Sequence, residues 1–167
     1  MTDAAPEAHR FAPSGGLPNS ALPLLVWRGA LPAGAGAVTA CFAANGWSNA
    51  WTNGVFGYHH FHSNAHEALG VSRGEARVRF GGPGGEALAL RAGDAVVIPA
   101  GVGHCREWAS GDFEVVGAYP GGTNCDIRCG DPAEAARVAA NLAAVPLPAG
   151  DPVAGRPLPG WARDTKA

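Results

Sequence analysis

The chain has 167 residues, of which 16% are charged, and its formal net charge at pH 7 is −2. This length suits one domain that buries its own core, and the lack of a Lys or Arg block argues against a nucleic acid partner. Neither a stretch long enough to span a bilayer nor a secretory leader is visible, so we expect no membrane partner and a cytoplasmic location with reduced cysteines.

Glycine and proline, at 25 and 14 residues, interrupt the apolar runs without a fixed period, which is typical of short strands joined by tight turns. We expect an N-terminal arm at residues 1–22, a folded domain at 23–145 and a Pro-rich extended tail at 146–167, anchored by Trp161. Strands are predicted, in chain order, at residues 24–27, 37–42, 58–62, 67–72, 77–80, 87–90, 95–98, 104–108 and 113–119. This spacing predicts an all-β jelly roll or barrel.

One helix is predicted at residues 131–145. Asp131 can cap its N-terminus, Pro132 suits the first turn, and Glu134 completes the pattern of a capping box. Ala135, Val138 and Leu142 lie on one apolar stripe. The helix is therefore expected to pack against the barrel.

Four of the six histidines fall within eight residues, and Glu67 follows them directly. Because side chains alternate along a strand, His60 and His62 should project from one face, while His59 should project from the other. His66, next to an inward-facing Glu67, should also face away. Cys125 and Cys129 lack the second pair of cysteines or histidines that a closed zinc site requires, so we interpret them as ordinary thiols.

Two motifs frame these residues: His60-x-His62, four residues, Glu67, six residues and Gly74, and then Gly93, five residues, Pro99-x-Gly101, two residues and His104. Together they resemble the two motifs of the cupin superfamily. The resemblance implies a cupin-type barrel, that is, a double-stranded β-helix or jelly roll, here with one C-terminal helix. Carried over residue by residue, it implies that His60, His62, Glu67 and His104 bind one divalent metal.

The resemblance narrows to a largely uncharacterised family of bacterial single-domain metal-binding cupins. The residues that carry it are Leu17-Pro18-Asn19, Trp27-Arg28-Gly29-Ala30, Asn45-Gly46-Trp47, Tyr58-His59-His60 and Val116-Gly117-Ala118-Tyr119-Pro120.

Three imidazoles and one carboxylate suit a single divalent transition metal per chain, namely Fe, Mn, Ni, Co or Zn, and leave about two octahedral positions open. Tyr58, Arg106 and Trp108 share the strand parity of the ligands and are candidate substrate contacts. Arg106 could hold a carboxylate or phosphate and Tyr58 could donate a hydrogen bond, although each residue could instead be a packed barrel residue.

The favoured function is a metal-dependent enzyme, of the oxygenase type, that acts on a small polar metabolite. A metal-dependent isomerase or lyase is a related alternative. A non-catalytic module that binds or senses a small-molecule ligand is a second class, and the fold alone does not separate these functions. Barrels with exposed edge strands often pair, and relatives in this family commonly form dimers, so we expect that the chain can form a homodimer.

Overall fold

The computed structural model describes residues 4–162, so residues 1–3 of the expected arm and 163–167 of the expected tail lie outside the described residues. The described part contains nine strands, a 3-10 turn at Pro132–Glu134 and two α-helices. Their bounds are β1 Glu7–Phe11, β2 Ser20–Trp27, α1 Ala35–Ala44, β3 Trp47–Asn53, β4 Glu67–Arg73, β5 Glu75–Phe80, β6 Glu86–Arg91, β7 Ala95–Ile98, β8 His104–Ala109, β9 Glu114–Pro120 and α2 Ala135–Ala144.

The strands form two antiparallel sheets. The larger sheet has the order β1-β2-β7-β4-β9-β3, and the smaller has the order β6-β5-β8. Non-consecutive neighbours such as β2 and β7 show that the chain crosses between the sheets rather than meandering. The predicted all-β jelly roll is therefore confirmed.

The central strands of the larger sheet, β2, β7, β4 and β9, are largely buried on both faces. Alternate residues of β2, β4 and β7, including Leu24, Leu69 and Val96, join the core that the two sheets enclose. Their neighbours in sequence, such as Leu25 and Val97, pack on the opposite face against α1 and the C-terminal segment. Strands buried on both faces explain why these segments read as continuous apolar runs rather than alternating ones.

The predicted strand at 37–42 is wrong, because these residues lie in α1. Val38 and Phe42 are four positions apart and fully buried, so one face of the helix covers the larger sheet. Gly70 of β4 permits this close approach, since an added Cβ would lie 2.6 Å from Val38 Cγ1. The helix is followed by β3, which the sequence analysis did not predict.

The C-terminal helix is confirmed. Asp131 caps the 3-10 turn by accepting a hydrogen bond from Ala133 N at 3.0 Å, whereas Glu134 pairs with Arg128 instead of closing a capping box. Further on, Trp161 is buried and donates from Nε1 to Pro23 O at 2.8 Å.

At the N-terminus, residues of the expected arm form β1, which pairs with β2 at the edge of the larger sheet. Among the described residues, no helix is both long and apolar enough to cross a membrane.

Candidate metal centre

The residues of the two motifs come together from three parts of the chain. Glu67 begins β4, His104 begins β8, and His60 and His62 lie in the connection between β3 and β4. The predicted strand at 58–62 is reduced to two isolated bridges, at His60 with His104 and at Phe61 with Arg128. The first bridge has hydrogen bonds of 3.2 Å and 2.9 Å in its two directions, so the backbone itself fixes His60 beside His104.

The side chains converge on one point. Donor nitrogens of His60, His62 and His104 lie within 4.8 Å of one another. Glu67 reaches both neighbouring rings, with Oε2 at 3.4 Å from His62 Nε2 and Oε1 at 3.5 Å from His104 Nε2. None of the four residues is more than 6% exposed. A buried carboxylate that faces imidazole nitrogens needs a compensating positive charge, either a proton or a cation.

Backbone carbonyls orient all three rings. The Nδ1 atoms of His60, His62 and His104 lie at 3.0, 2.5 and 3.2 Å from carbonyl oxygens. These oxygens belong to Tyr58, Asp126 and Val102. Because a carbonyl oxygen only accepts, each Nδ1 donates, and Nε2 of the neutral ring keeps its lone pair. Metal-binding histidines are commonly oriented by such a second contact.

The pKa values of His60 and His62 are shifted in opposite directions. Burial, with His104 nearby, lowers the pKa of His60 to about 3. Burial also acts to lower the pKa of His62, but hydrogen bonds to Cys125 and Glu67 outweigh it and raise that pKa to about 11. Burial alone would raise the pKa of Glu67, yet its side-chain interactions with His104 and His62 hold that pKa well below its ordinary value. Glu67 is thus a carboxylate, and a cation that binds here displaces a proton from His62.

A cavity of about 480 Å³ opens onto the cluster, within the size range of sites for small molecules. Apolar side chains form part of its wall, and polar groups lie between them. The lining includes Trp51, Phe56, Ile127, Arg106, Tyr119 and Cys125.

Arg106 is the predicted substrate contact that lines this cavity. In residues 4–162 its guanidinium has no acidic partner, because the neighbouring Glu107 pairs with Arg79 at 3.3 Å and with Arg77 at 3.7 Å. Tyr58 is not part of the lining; it is 47% exposed and stacks on Phe56 with ring centroids 5.0 Å apart.

Trp108 does not reach the cavity and is 53% exposed. The reason is a bulge in β8: Val78 of β5 pairs with Arg106, but Arg77 pairs with Trp108, so Glu107 is the extra residue. A bulge reverses the alternation of the residues beyond it. The shared parity expected for Arg106 and Trp108 is corrected accordingly.

Comparison with known proteins identifies the fold family. The Cupin domain family matches residues 49–116. The Uncharacterized protein YjlB of Bacillus subtilis (strain 168) is 44% identical over 154 residues, which cover 92% of this chain and 93% of that protein. The chain belongs to the cupin superfamily.

Solved structures similar to this cupin include acireductone dioxygenase from Bacillus anthracis with a cadmium ion in its active centre, which has a TM-score of 0.40 and 16% identity over 60% of this chain and 79% of that one. Another is procruciferin, an 11S globulin from Brassica napus, with a TM-score of 0.39 and 23% identity over 50% of this chain. The matched region spans 21% of the procruciferin chain.

The donor set of this cupin fits a divalent transition metal. Three imidazole nitrogens and a carboxylate suit Fe(II), Mn(II), Ni(II), Co(II) and Zn(II) alike. The fixed Nδ1 tautomers leave Nε2 as the binding atom of each ring, and the carboxylate supplies the negative charge.

Cys125 is a residue of the cavity that sequence reasoning missed. A second possible donor group consists of His62, Glu67 and Cys125, whose ligand atoms lie within 4.8 Å of one another. Cys129, its partner in the sequence pattern, is exposed instead. The spacing to Cys129 gave no indication of this contact, because Cys125 reaches the site through the long connection that follows β9.

That connection is tied to the histidine segment by Asp126. Its carboxylate accepts from the Ser63 backbone at 2.7 Å, from the Ser63 hydroxyl and from Arg128 Nε at 2.9 Å. Burial acts to raise the pKa of Asp126, but these donors lower it overall. Because the carbonyl of the same residue orients His62, the loop that brings Cys125 to the cavity also positions a donor ring.

His59 and His66 lie outside both groups of converging donor atoms. His66 Nδ1 accepts from Ala100 N at 2.9 Å, and its ring lies 4.7 Å from that of Trp161. His66 thus contacts the turn that precedes His104, on the far side of the strand from Glu67.

Proposed function

We propose that this cupin is a metal-dependent enzyme that acts on a small anionic metabolite, with oxygenase-type chemistry favoured. The observation that carries the proposal is the convergence of three oriented imidazoles and one buried carboxylate beside an open cavity. In this proposal His60, His62, Glu67 and His104 hold one divalent metal. Bound there, the metal supplies Lewis acidity and, if it is redox-active, chemistry with dioxygen.

Arg106 supports the anionic class of substrate. Among the described residues that line the cavity it is the one arginine, no lysine accompanies it, and it has no acidic partner. A guanidinium fork can hold a carboxylate or phosphate through two hydrogen bonds. Arg106 would orient such a group while apolar side chains of the wall, including Phe56 and Ile127, contact the rest of the molecule.

Tyr119 supports a catalytic role for the same cavity. Its hydroxyl accepts from Trp51 Nε1 at 2.7 Å and lies 3.2 Å from Cys125 Sγ. Burial raises the pKa of Tyr119, so the phenol keeps its proton at neutral pH. A protonated phenol in the cavity wall can donate one hydrogen bond, either to a substrate oxygen or to the sulfur of a deprotonated Cys125.

The experiment that tests the function is oxygen uptake by Fe(II)-loaded protein with a panel of small carboxylates and phosphorylated metabolites. We expect uptake with at least one class of anion, loss of uptake in His62→Ala, and normal uptake in His59→Ala, a matched control one residue outside the donor set. If Fe(II) binds and an anion binds but neither oxygen nor the anion is consumed, the binding or sensing function replaces the enzyme. If the anion is converted without oxygen uptake, the isomerase or lyase function replaces the oxygenase.

A further inference from the structure

The hydroxyl oxygen of Tyr119 forms hydrogen bonds with both Trp51 and Cys125. The indole N–H of Trp51 can only donate a hydrogen bond, so its 2.7 Å contact with Tyr119 uses a lone pair of the phenol oxygen. The phenol proton therefore remains available for another partner. Cys125 Sγ lies 3.2 Å from the phenol oxygen and, as a thiol, donates its S–H to it. When a metal displaces the thiol proton, the phenol can instead turn its own O–H towards the sulfur.

The other side of the same sulfur faces the donor cluster. Ligand atoms of Cys125, His62 and Glu67 all lie within 4.8 Å of one another. Glu67 is only 2% exposed, and its two oxygens already face His62 and His104. The buried carboxylate and the Nε2 lone pairs independently indicate a cation at this point, and Cys125 approaches it from the cavity side.

We propose that Cys125 is a fifth protein donor to the metal, as a thiolate supported by the Tyr119 hydroxyl. This inference rests on the proposed function, because it needs a metal at the same centre. As the sulfur–metal bond forms, the S–H bond breaks and its proton leaves to solvent through the cavity.

A thiolate changes the character of the centre. A divalent ion with one carboxylate and one thiolate has no net charge, so Arg106 becomes the main attraction for an anion. The mixed nitrogen, oxygen and sulfur set favours thiophilic ions such as Fe(II), Co(II) and Zn(II) over Mn(II). Five protein donors leave one octahedral position open. A substrate must therefore bind through one atom, or displace the sulfur in order to bind through two.

The other three cysteines provide matched controls, because each lies elsewhere. Cys41 Sγ contacts carbonyl oxygens of Pro152 and Val153, Cys105 Sγ contacts its neighbour's carbonyl, and Cys129 is exposed. Cys129 is the best control, since it belongs to the same connection as Cys125.

The test is the absorption spectrum of the reduced protein during titration with Co(II), which gives intense near-ultraviolet charge-transfer bands with thiolate ligands and weak visible bands without them. We expect a charge-transfer band at one Co(II) per chain in the wild type and in Cys129→Ser. Cys125→Ser should lose the band while still binding one Co(II). Tyr119→Phe should keep the band but move it to longer wavelength, because the sulfur loses its hydrogen bond.

Each outcome decides between the two proposals. If wild type binds Co(II) with no thiolate band, or Cys125→Ser keeps the band, the role of Cys125 is refuted and the four-donor centre stands. If wild type binds no Co(II), both proposals fail. A parallel titration of His62→Ala, which should bind Co(II) much more weakly, shows whether any uptake belongs to this centre.

Discussion

Gly117 allows an aromatic ring to cross β9 beside the candidate centre. It pairs with Trp51 of β3, and a Cβ added at Gly117 would lie 2.2 Å from Trp51 Cε2 and 2.6 Å from Nε1. Ordinary carbon contacts are about 3.5 Å or longer. In Gly117→Ala the indole must therefore retreat by roughly 1 Å, which lengthens its 2.7 Å hydrogen bond to Tyr119 beyond a normal length.

The expected loss of stability follows from these two effects. Overpacking costs about 1 to 3 kcal/mol, and the hydrogen bond contributes about 0.5 to 1.5 kcal/mol. A total of about 1.5 to 4.5 kcal/mol lowers the Tm of a chain this size by roughly 3 to 18 °C. Thermal unfolding followed by circular dichroism measures the shift, and the near-ultraviolet spectrum reports the altered tryptophan environment.

Gly111→Ala is the matched control. Gly111 lies between β8 and β9, an added Cβ there meets no atom within 4 Å, and its φ is not in the left-handed region. Its Tm should stay near that of wild type. If Gly117→Ala melts at the same temperature as Gly111→Ala, the close packing of Trp51 on β9 is refuted.

Three further predictions concern the centre, the cavity and the C-terminal segment. A metal present at 100 times its Kd should stabilise the protein by about 2.7 kcal/mol in thermal unfolding; Glu67→Gln should show little of this gain, and an equal gain would contradict the role of the carboxylate. Arg106→Ala should weaken binding of an anionic ligand by about 1.5 to 3 kcal/mol in calorimetry, roughly 10- to 150-fold, because a charged hydrogen bond is lost; Arg77→Ala, whose side chain pairs with Glu107 on the surface, is the control, and equal affinities in the two variants would refute the contact. Trp161→Ala should cost about 3 to 5 kcal/mol in denaturant unfolding because a buried indole is removed; a loss below 1 kcal/mol would show that the segment is not anchored.

The fold was predictable because the strands of this cupin are short apolar runs bounded by glycine and proline, and because both motifs stand at the family's spacing. The same rule, that a short apolar run forms a strand, failed at residues 37–42. Six apolar or small residues suit a strand or a buried helix equally, and only the packing of Val38 and Phe42 over Gly70 selects the helix.

The convergence of His60, His62, Glu67 and His104 could be anticipated from motif spacing, although His60 and His62 lie in a connection rather than in the predicted strand. The residues of the cavity wall could not be anticipated from the sequence, because their positions depend on irregular backbone. The bulge at Glu107 turns Trp108 outward, and no residue type in the sequence of β8 predicts this bulge. Cys125 reaches the cavity because its neighbour Asp126 contacts Ser63, a residue far away in the sequence.

The most direct test of the account is elemental analysis of the protein purified without chelators, with His62→Ala and His59→Ala purified in parallel. The account predicts close to one transition metal ion per chain in the wild type and in His59→Ala, and little or none in His62→Ala. A wild-type protein that contains no metal, and that takes up none when Fe(II), Mn(II), Ni(II), Co(II) or Zn(II) is added, would contradict it.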